Sequence, residues 1–274
     1  MPERFVVKTL DVGDARFSYR ALEPSTGNSK GFPVVLLHGI SSGAASWASC
    51  AAALAEQARV LAWDAPGYGE SSRLPRPAPT ASDYAEHLRL WLDALSVETC
   101  VLVGHSLGAL MAAAFAQQYP ARVQALLLAS PAIGYGDAPD QAQVRAGRLQ
   151  ALQAGIPCLA EKLADRLLSK NATAAQREQV REVARHLKPE GYAQAVQMLC
   201  SENLHRYLRL PAATQVCCGE LDVVTTPEQS RAYAQSRGWP FHLISASGHA
   251  SPIERPAALA HLILQSLQGV SPHA

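Results

Sequence analysis

The stretch CVLVGHSLGALMAAAFAQQ, residues 100–118, decides the fold. Its first four residues form an apolar run that predicts a strand covered on both faces. Gly104-His105-Ser106-Leu107-Gly108 follows as a G-x-S-x-G sequence, and ALMAAAFAQQ then reads as a helix. Strand, sharp turn and helix together make the setting of a nucleophile elbow. Glycines at 104 and 108 keep Cβ atoms out of a turn too tight to hold them. Ser106 is then expected above the sheet edge at a helix N-terminus, whose dipole favours negative charge developing nearby.

Working outward, short runs rich in Val, Leu and Ala alternate with helical patterns. FPVVLLHG (32–39), RVLAWD (59–64) and QALLLAS (124–130) are apolar through and through, as strands with two covered faces should be. SWASCAAALAEQ (46–57) and SDYAEHLRLWLDAL (82–95) lie between them as predicted helices, the second with Ser82 or Asp83 as its N-cap. This alternation argues for a mostly parallel, doubly wound α/β sheet. The opening stretch FVVKTLDVGDARFSYRALEP (5–24) alternates and turns near Gly13, so it reads as an antiparallel hairpin at the sheet edge. Polar EPSTGNSKG (23–31) reads as a loop.

After Pro131 the alternation stops, and residues 137–210 are helix-like without a strand-like run. ATQVCCGE (213–220), PEQSRAYAQSRG (227–238), FHLISAS (241–247) and PAALAHLILQSL (256–267) then resume it. The expected organisation is a core in two parts, 1–133 and 211–274, with a helical cap inserted at 134–210. A helical insertion between parallel strands belongs over their C-terminal ends, where open α/β sheets bind ligands.

Composition narrows the function. Of 274 residues 48% are hydrophobic and 17% charged, with 24 basic against 23 acidic side chains and a formal charge of +1. Such a chain is no disordered polymer, and it lacks the basic excess that nucleic-acid binding draws on. No apolar run reaches membrane-span length, because Gly104, His105, Ser106 and Gly108 interrupt the longest. Six scattered cysteines without a C-x-x-C pair, and an N-terminus without a leader pattern, predict buried, reduced thiols in a cytoplasmic protein. The sequence carries no metal-ligand spacing and no phosphate-cradling loop, so no cofactor is expected, and no feature sets an oligomeric state.

A serine hydroxyl needs a base, and the base a carboxylate to orient it. Behind an elbow of this kind the acid comes next in the chain and the histidine last. His249, in SASGHASPIE, follows the last strand and precedes the final helix, where a loop can return over the sheet edge. His242 and His261 fall inside a strand and a helix, and His105 points away from Ser106 by adjacency. Asp222, in the loop after ATQVCCGE, is the expected acid, with Glu220 and Asp137 as alternatives; Glu98 and Asp140 read as solvated. Two backbone donors should face the developing oxyanion, namely the Leu107 N–H after the nucleophile and the Ile40 N–H in the loop after LLHG. His38 in that loop reads as an organiser.

LLHG, DAPGYGES (64–71), GHSLG, GELDVVTTP and SGHASPIERP, in that order, make the chain resemble the α/β-hydrolase superfamily over nearly its whole length. The resemblance implies a Ser106–Asp222–His249 triad, oxyanion donors at Ile40 and Leu107, and a loop-organising Asp64. Ser106 separates the chain from relatives with an aspartate nucleophile. HGISSGAASW (38–47) is similar to the corresponding loop of meta-cleavage-product C–C hydrolases, but His105 and Ala250 stand where those enzymes usually carry Asn and Trp. Hydrolysis of a carboxylic ester in a small-molecule acyl substrate is therefore the first expectation. C–C bond hydrolysis is the second, and a ligand receptor built on the same fold is the third. Trp47, Ile133 and Tyr135 are the expected pocket walls.

Overall fold

The computed structural model describes residues 5–24 and 31–270, so most of the polar 23–31 loop lies outside the described residues. The chain enters through a hairpin, β1 (Val7–Val12) against β2 (Ala15–Leu22), antiparallel, with Gly13 at φ 57° making the turn. Next come β3 (Val34–Leu37), α1 (Ala48–Leu54), β4 (Val60–Trp63), α2 (Ala81–Ala94), β5 (Cys100–His105), α3 (Leu107–Gln118) and β6 (Val123–Ala129). Four helices follow: α4 (Gln141–Gln153), α5 (Ile156–Leu167), α6 (Ala174–Arg185) and α7 (Pro189–Ser201). The chain then returns through β7 (Thr214–Gly219), α8 (Pro227–Arg237), β8 (Phe241–Ile244), α9 (Ser251–Glu254) and α10 (Pro256–Gln268).

The eight strands among the described residues join one sheet in the order β1-β2-β4-β3-β5-β6-β7-β8. Only the β1–β2 and β2–β4 pairings are antiparallel; every pairing from β4 to β8 is parallel. The sheet is mostly parallel and doubly wound, as expected, with β5 and its elbow near the middle. Strand periodicity divides each buried run between two cores. Val35, Leu37, Leu61, Trp63, Leu102, Leu126 and Leu128 face the side covered by α2, α3 and α8. Their neighbours Val34, Leu36, Val60, Ala62, Val103 and Leu127 face the side covered by α1 and α10. Each such Val or Leu contributes about 1.5–3 kcal/mol of burial, before the entropy of ordering it. That two-sided burial is why the strand sequences show no polar alternation.

Two local expectations change. Thr80, not Ser82 or Asp83, caps α2: its side chain accepts from the Asp83 amide, and Asp83 Oδ2 accepts from the Thr80 amide at 2.7 Å. Asp83 thus closes a reciprocal capping box from the third helical position. Five cysteines are buried free thiols, but Cys158 is exposed on α5. That helix fully buries only Ala160, Leu163 and Ala164, with Ile156, Leu159 and Leu167 packed partly buried against the core.

Candidate active site

Ser106 sits between β5 and α3 at φ 53°, ψ −116°, a backbone conformation that L-residues rarely adopt. Such a residue costs about 1–3 kcal/mol and persists only when its surroundings hold it. Here the Ser106 amide donates to the Ala129 carbonyl at 3.0 Å, and the Ser106 carbonyl accepts from Ala109 at 3.0 Å and Ala132 at 3.1 Å. The flanking glycines are sterically required. A Cβ on Gly104 would lie 2.5 Å from the Gly108 carbonyl oxygen, and one on Gly108 would lie 2.5 Å from that of Leu37.

Asp222 and His249 meet from the loops that follow β7 and β8. His249 Nδ1 donates to Asp222 Oδ2 at 2.8 Å, with both side chains almost wholly buried. The other carboxylate oxygen accepts the amides of Val224 at 2.8 Å and Thr225 at 3.0 Å. The Thr225 hydroxyl lies 3.0 Å from both Asp222 Oδ2 and the Ser130 carbonyl, and 3.2 Å from His249 Nδ1. Burial works against a charge on Asp222, yet His249 and the two amides outweigh it and hold the carboxyl well below its ordinary range. The neighbouring Cys218 is pushed up to about 12 by burial, so it remains a thiol.

The other two carboxylates weighed for the acid are placed elsewhere. Glu220 is exposed and accepts from the Ala246 amide at 2.8 Å. Asp137 is tied at the surface to Arg206 and Asn203.

Behind the pair stands His105, whose role adjacency to Ser106 does not reveal. Its Nε2 lies 2.8 Å from the His249 carbonyl, which only accepts, so this nitrogen carries the proton. The two imidazoles pack with centroids 4.9 Å apart. Burial, helped by the nearby His249, lowers the His105 pKa to about 3, so the ring is neutral. His38 is likewise kept neutral by burial, against the pull of Asp64. It spans Gly39 O at 2.8 Å and the Ala65 amide at 3.0 Å, joining two loops. Asp64 accepts from Ser18 Oγ at 2.7 Å and the Ala44 amide at 2.8 Å.

Ser106, His249, Ile40 and Leu107 line one cavity of about 160 Å³. Among the described residues, neither the Ile40 nor the Leu107 amide finds a backbone acceptor. Tyr68 anchors the Ile40 loop one peptide further on, donating its hydroxyl to the Ile40 carbonyl at 2.7 Å. Ile133 and Tyr135 stand in the cavity wall, and each of α4 to α7 contributes lining, including Leu163, Val180 and Leu199. Trp47 does not: it is 0% exposed and belongs with Leu36, Cys50 and Leu54 to the core on the side covered by α1 and α10. A 3₁₀ turn, Ala44–Trp47, presents Ser46 to the cavity and turns the indole inward, edge-on to His105 at 6.2 Å. Among the described residues no group of His, Cys, Asp and Glu gathers to hold a metal ion, and no helix is long and apolar enough to cross a membrane.

The family model described as "alpha/beta hydrolase fold" matches residues 33–256, and the chain belongs to that family. Among solved structures it is similar to a thermophilic esterase from Thermogutta terrifontis, solved with malate bound. That likeness has TM-score 0.83 and 26% identity and covers 97% of this chain and 98% of the esterase. An enol-lactonase from Burkholderia xenovorans LB400 shares the fold at TM-score 0.81, 24% identity, covering 94% of this chain and 99% of that one. Among curated proteins, the 1-acylglycerol-3-phosphate O-acyltransferase ABHD5 of Homo sapiens is 39% identical over 114 residues, 40% of this chain. The match spans only 32% of that relative's length.

Proposed function

We propose that the protein hydrolyses a carboxylic ester through a Ser106–His249–Asp222 triad. The observation that carries this reading is the buried His249–Asp222 hydrogen bond at 2.8 Å, set beside a cavity that Ser106 also lines from a strained elbow. His249 Nε2 takes the Ser106 proton as Oγ attacks the acyl carbon, and the Ile40 and Leu107 amides receive the developing oxyanion. Collapse breaks the acyl–oxygen bond, and the imidazolium gives its proton to the departing alcohol. Water, deprotonated by His249, then cleaves the acyl-enzyme to the free acid and restores Ser106. Asp222 keeps the proton on Nδ1 throughout and stabilises the imidazolium. Residues 134–210 act as the cap that shapes the acyl pocket.

The full-length likeness to the Thermogutta esterase supports ester chemistry. The acyltransferase name of the curated relative favours a second use of the same acyl-enzyme, transfer to an alcohol other than water. The C–C hydrolase reading drew on the 38–47 loop, and it gains nothing from a Trp47 that packs in the core. The test is a panel of p-nitrophenyl esters on wild type and Ser106→Ala. Wild type should turn over many times, and the variant should lose about a millionfold in kcat. Equal rates in the two proteins would place the chemistry at another residue.

A further inference from the structure

No carboxylate lines the cavity over Ser106, yet two guanidiniums do: Arg148 from α4 and Arg166 from α5. On the neighbouring α6 the arginines are matched by acids, whereas Arg145 of α4 also has no acid partner among the described residues. Arg177 pairs with Asp165 at 2.9 Å, Arg181 with Glu161 at 2.9 Å, and Arg185 with Glu178 at 2.6 Å. Arg148 and Arg166 take part in none of the ion pairs, side-chain hydrogen bonds or cation–π contacts among the described residues. Arg166 is exposed, which puts it where the cavity opens, and Arg148 is half-buried. Arg148 lines the cavity from α4, and its charge works against the burial that drives the Tyr68 phenol well above its ordinary pKa. Tyr68 is the side chain that donates to the Ile40 carbonyl.

A partly desolvated guanidinium without an acid is unfavourable, and a ligand oxyanion relieves it by planar, two-pronged hydrogen bonding. Arg166 also sits in the last turn of α5, where any cation meets the helix dipole favourably. That explanation does not extend to Arg148, which lies in the body of α4. Leu163, Val180, Val183 and Leu199, which α5 to α7 add to the lining, are apolar and suit a short acyl chain, while Ser41, Ser42, Ser46, Thr225 and Gln229 line the cavity from elsewhere in the chain.

We propose that the substrate carries a second, anionic group, a carboxylate or a phosphate, and that Arg148 and Arg166 hold it while Ser106 faces the acyl carbon. This rests on the acyl-hydrolase reading for its chemistry but not for its binding. The experiment therefore has a catalytic arm and a binding arm. In the first, p-nitrophenyl valerate and mono-p-nitrophenyl glutarate, equal in acyl length, are compared on wild type and on Arg148→Met/Arg166→Met. The double variant should lose roughly tenfold or more in kcat/KM on the glutarate ester and less than about twofold on the valerate ester. Equal losses on both esters, or none on the glutarate ester, would overturn the assignment.

In the second arm, thermal unfolding of Ser106→Ala is followed with glutarate and with glycerol phosphate, with and without the two arginine substitutions. A rise in Tm with either anion that vanishes in the Arg-substituted protein supports the site, and the more effective anion identifies the group. No rise with either, or a rise that survives the substitutions, contradicts it. If the anion response depends on the arginines but no ester is hydrolysed, the catalytic reading fails and the anion site stands. If the valerate ester is hydrolysed through Ser106 and no anion response appears, the reverse holds.

Discussion

A histidine kept neutral behind the Asp222–His249 pair has a measurable consequence. The His105 pKa is lowered from 6.5 to about 3, so below pH 6.5 the unfolded chain takes up a proton that the folded protein refuses until about pH 3. Stability therefore falls as pH drops through that window, with a slope approaching about 1.4 kcal/mol per unit from this one group. His87, buried and lowered to about 4, adds to the fall with the same sign. His105→Gln keeps a donor for the His249 carbonyl while removing the titration. Its Tm should therefore depend less on pH than that of wild type between pH 6.5 and 4, which scanning calorimetry across that range reads directly. Parallel curves would show that the imidazole is not the buried neutral group described. Asp222 acts in a lower window. Its carboxyl is depressed, so its contribution is complete above 3.8 and is lost only as pH falls below that value.

At the scale of elements, a buried carboxylate helps to join the His249 loop to the helices between β6 and β7, beside the Ala250 amide on the Leu167 carbonyl at 3.0 Å. Glu254, the last residue of α9, is 3% exposed and accepts the Gly248 amide at 2.8 Å and the Ser169 amide at 3.2 Å, as well as the Ser169 hydroxyl. Gly248 precedes His249, and Ser169 follows α5, so the Glu254 side chain bridges the histidine loop and the end of α5. The two backbones come so close there that a Cβ on Gly248 would lie 2.6 Å from the Ser169 nitrogen. Glu254→Ala would leave these donors buried and unpaired, and we expect it to lower stability by about 3 kcal/mol in urea unfolding. With the His249 loop released, kcat should fall more than KM rises. Unchanged stability together with unchanged kcat would mean that the clamp is dispensable. None of this is visible in SPIE as a sequence, where a glutamate at the end of a short helix reads as a surface charge. The same holds for Arg148 and Arg166. Polar positions on a helix predict a solvent face, and only the packing of α4 to α7 over the sheet turns that face toward a cavity.

Over the whole molecule, the parts legible in the sequence were those whose physics is local. Two-sided burial left continuous apolar runs at β3 to β6, and the elbow declared itself through two glycines that no Cβ could replace. The strand order was not legible, because β3 lies between β4 and β5 through contacts distant in sequence. Nor was the choice between Ser46 and Trp47 as cavity wall, since the 3₁₀ turn that orients them is set by packing against Leu36 and Leu54. What this architecture is proposed to accomplish is the transient bonding of an acyl group to Ser106. The direct test is to mix the protein with p-nitrophenyl acetate, quench in acid within the first turnovers, and locate any acetyl group by peptide mass spectrometry. The account predicts acetylation confined to the Ser106 peptide, disappearing as substrate is consumed while p-nitrophenol release continues through many cycles. Sustained turnover with the label on another residue, or with Ser106 never modified, would contradict it.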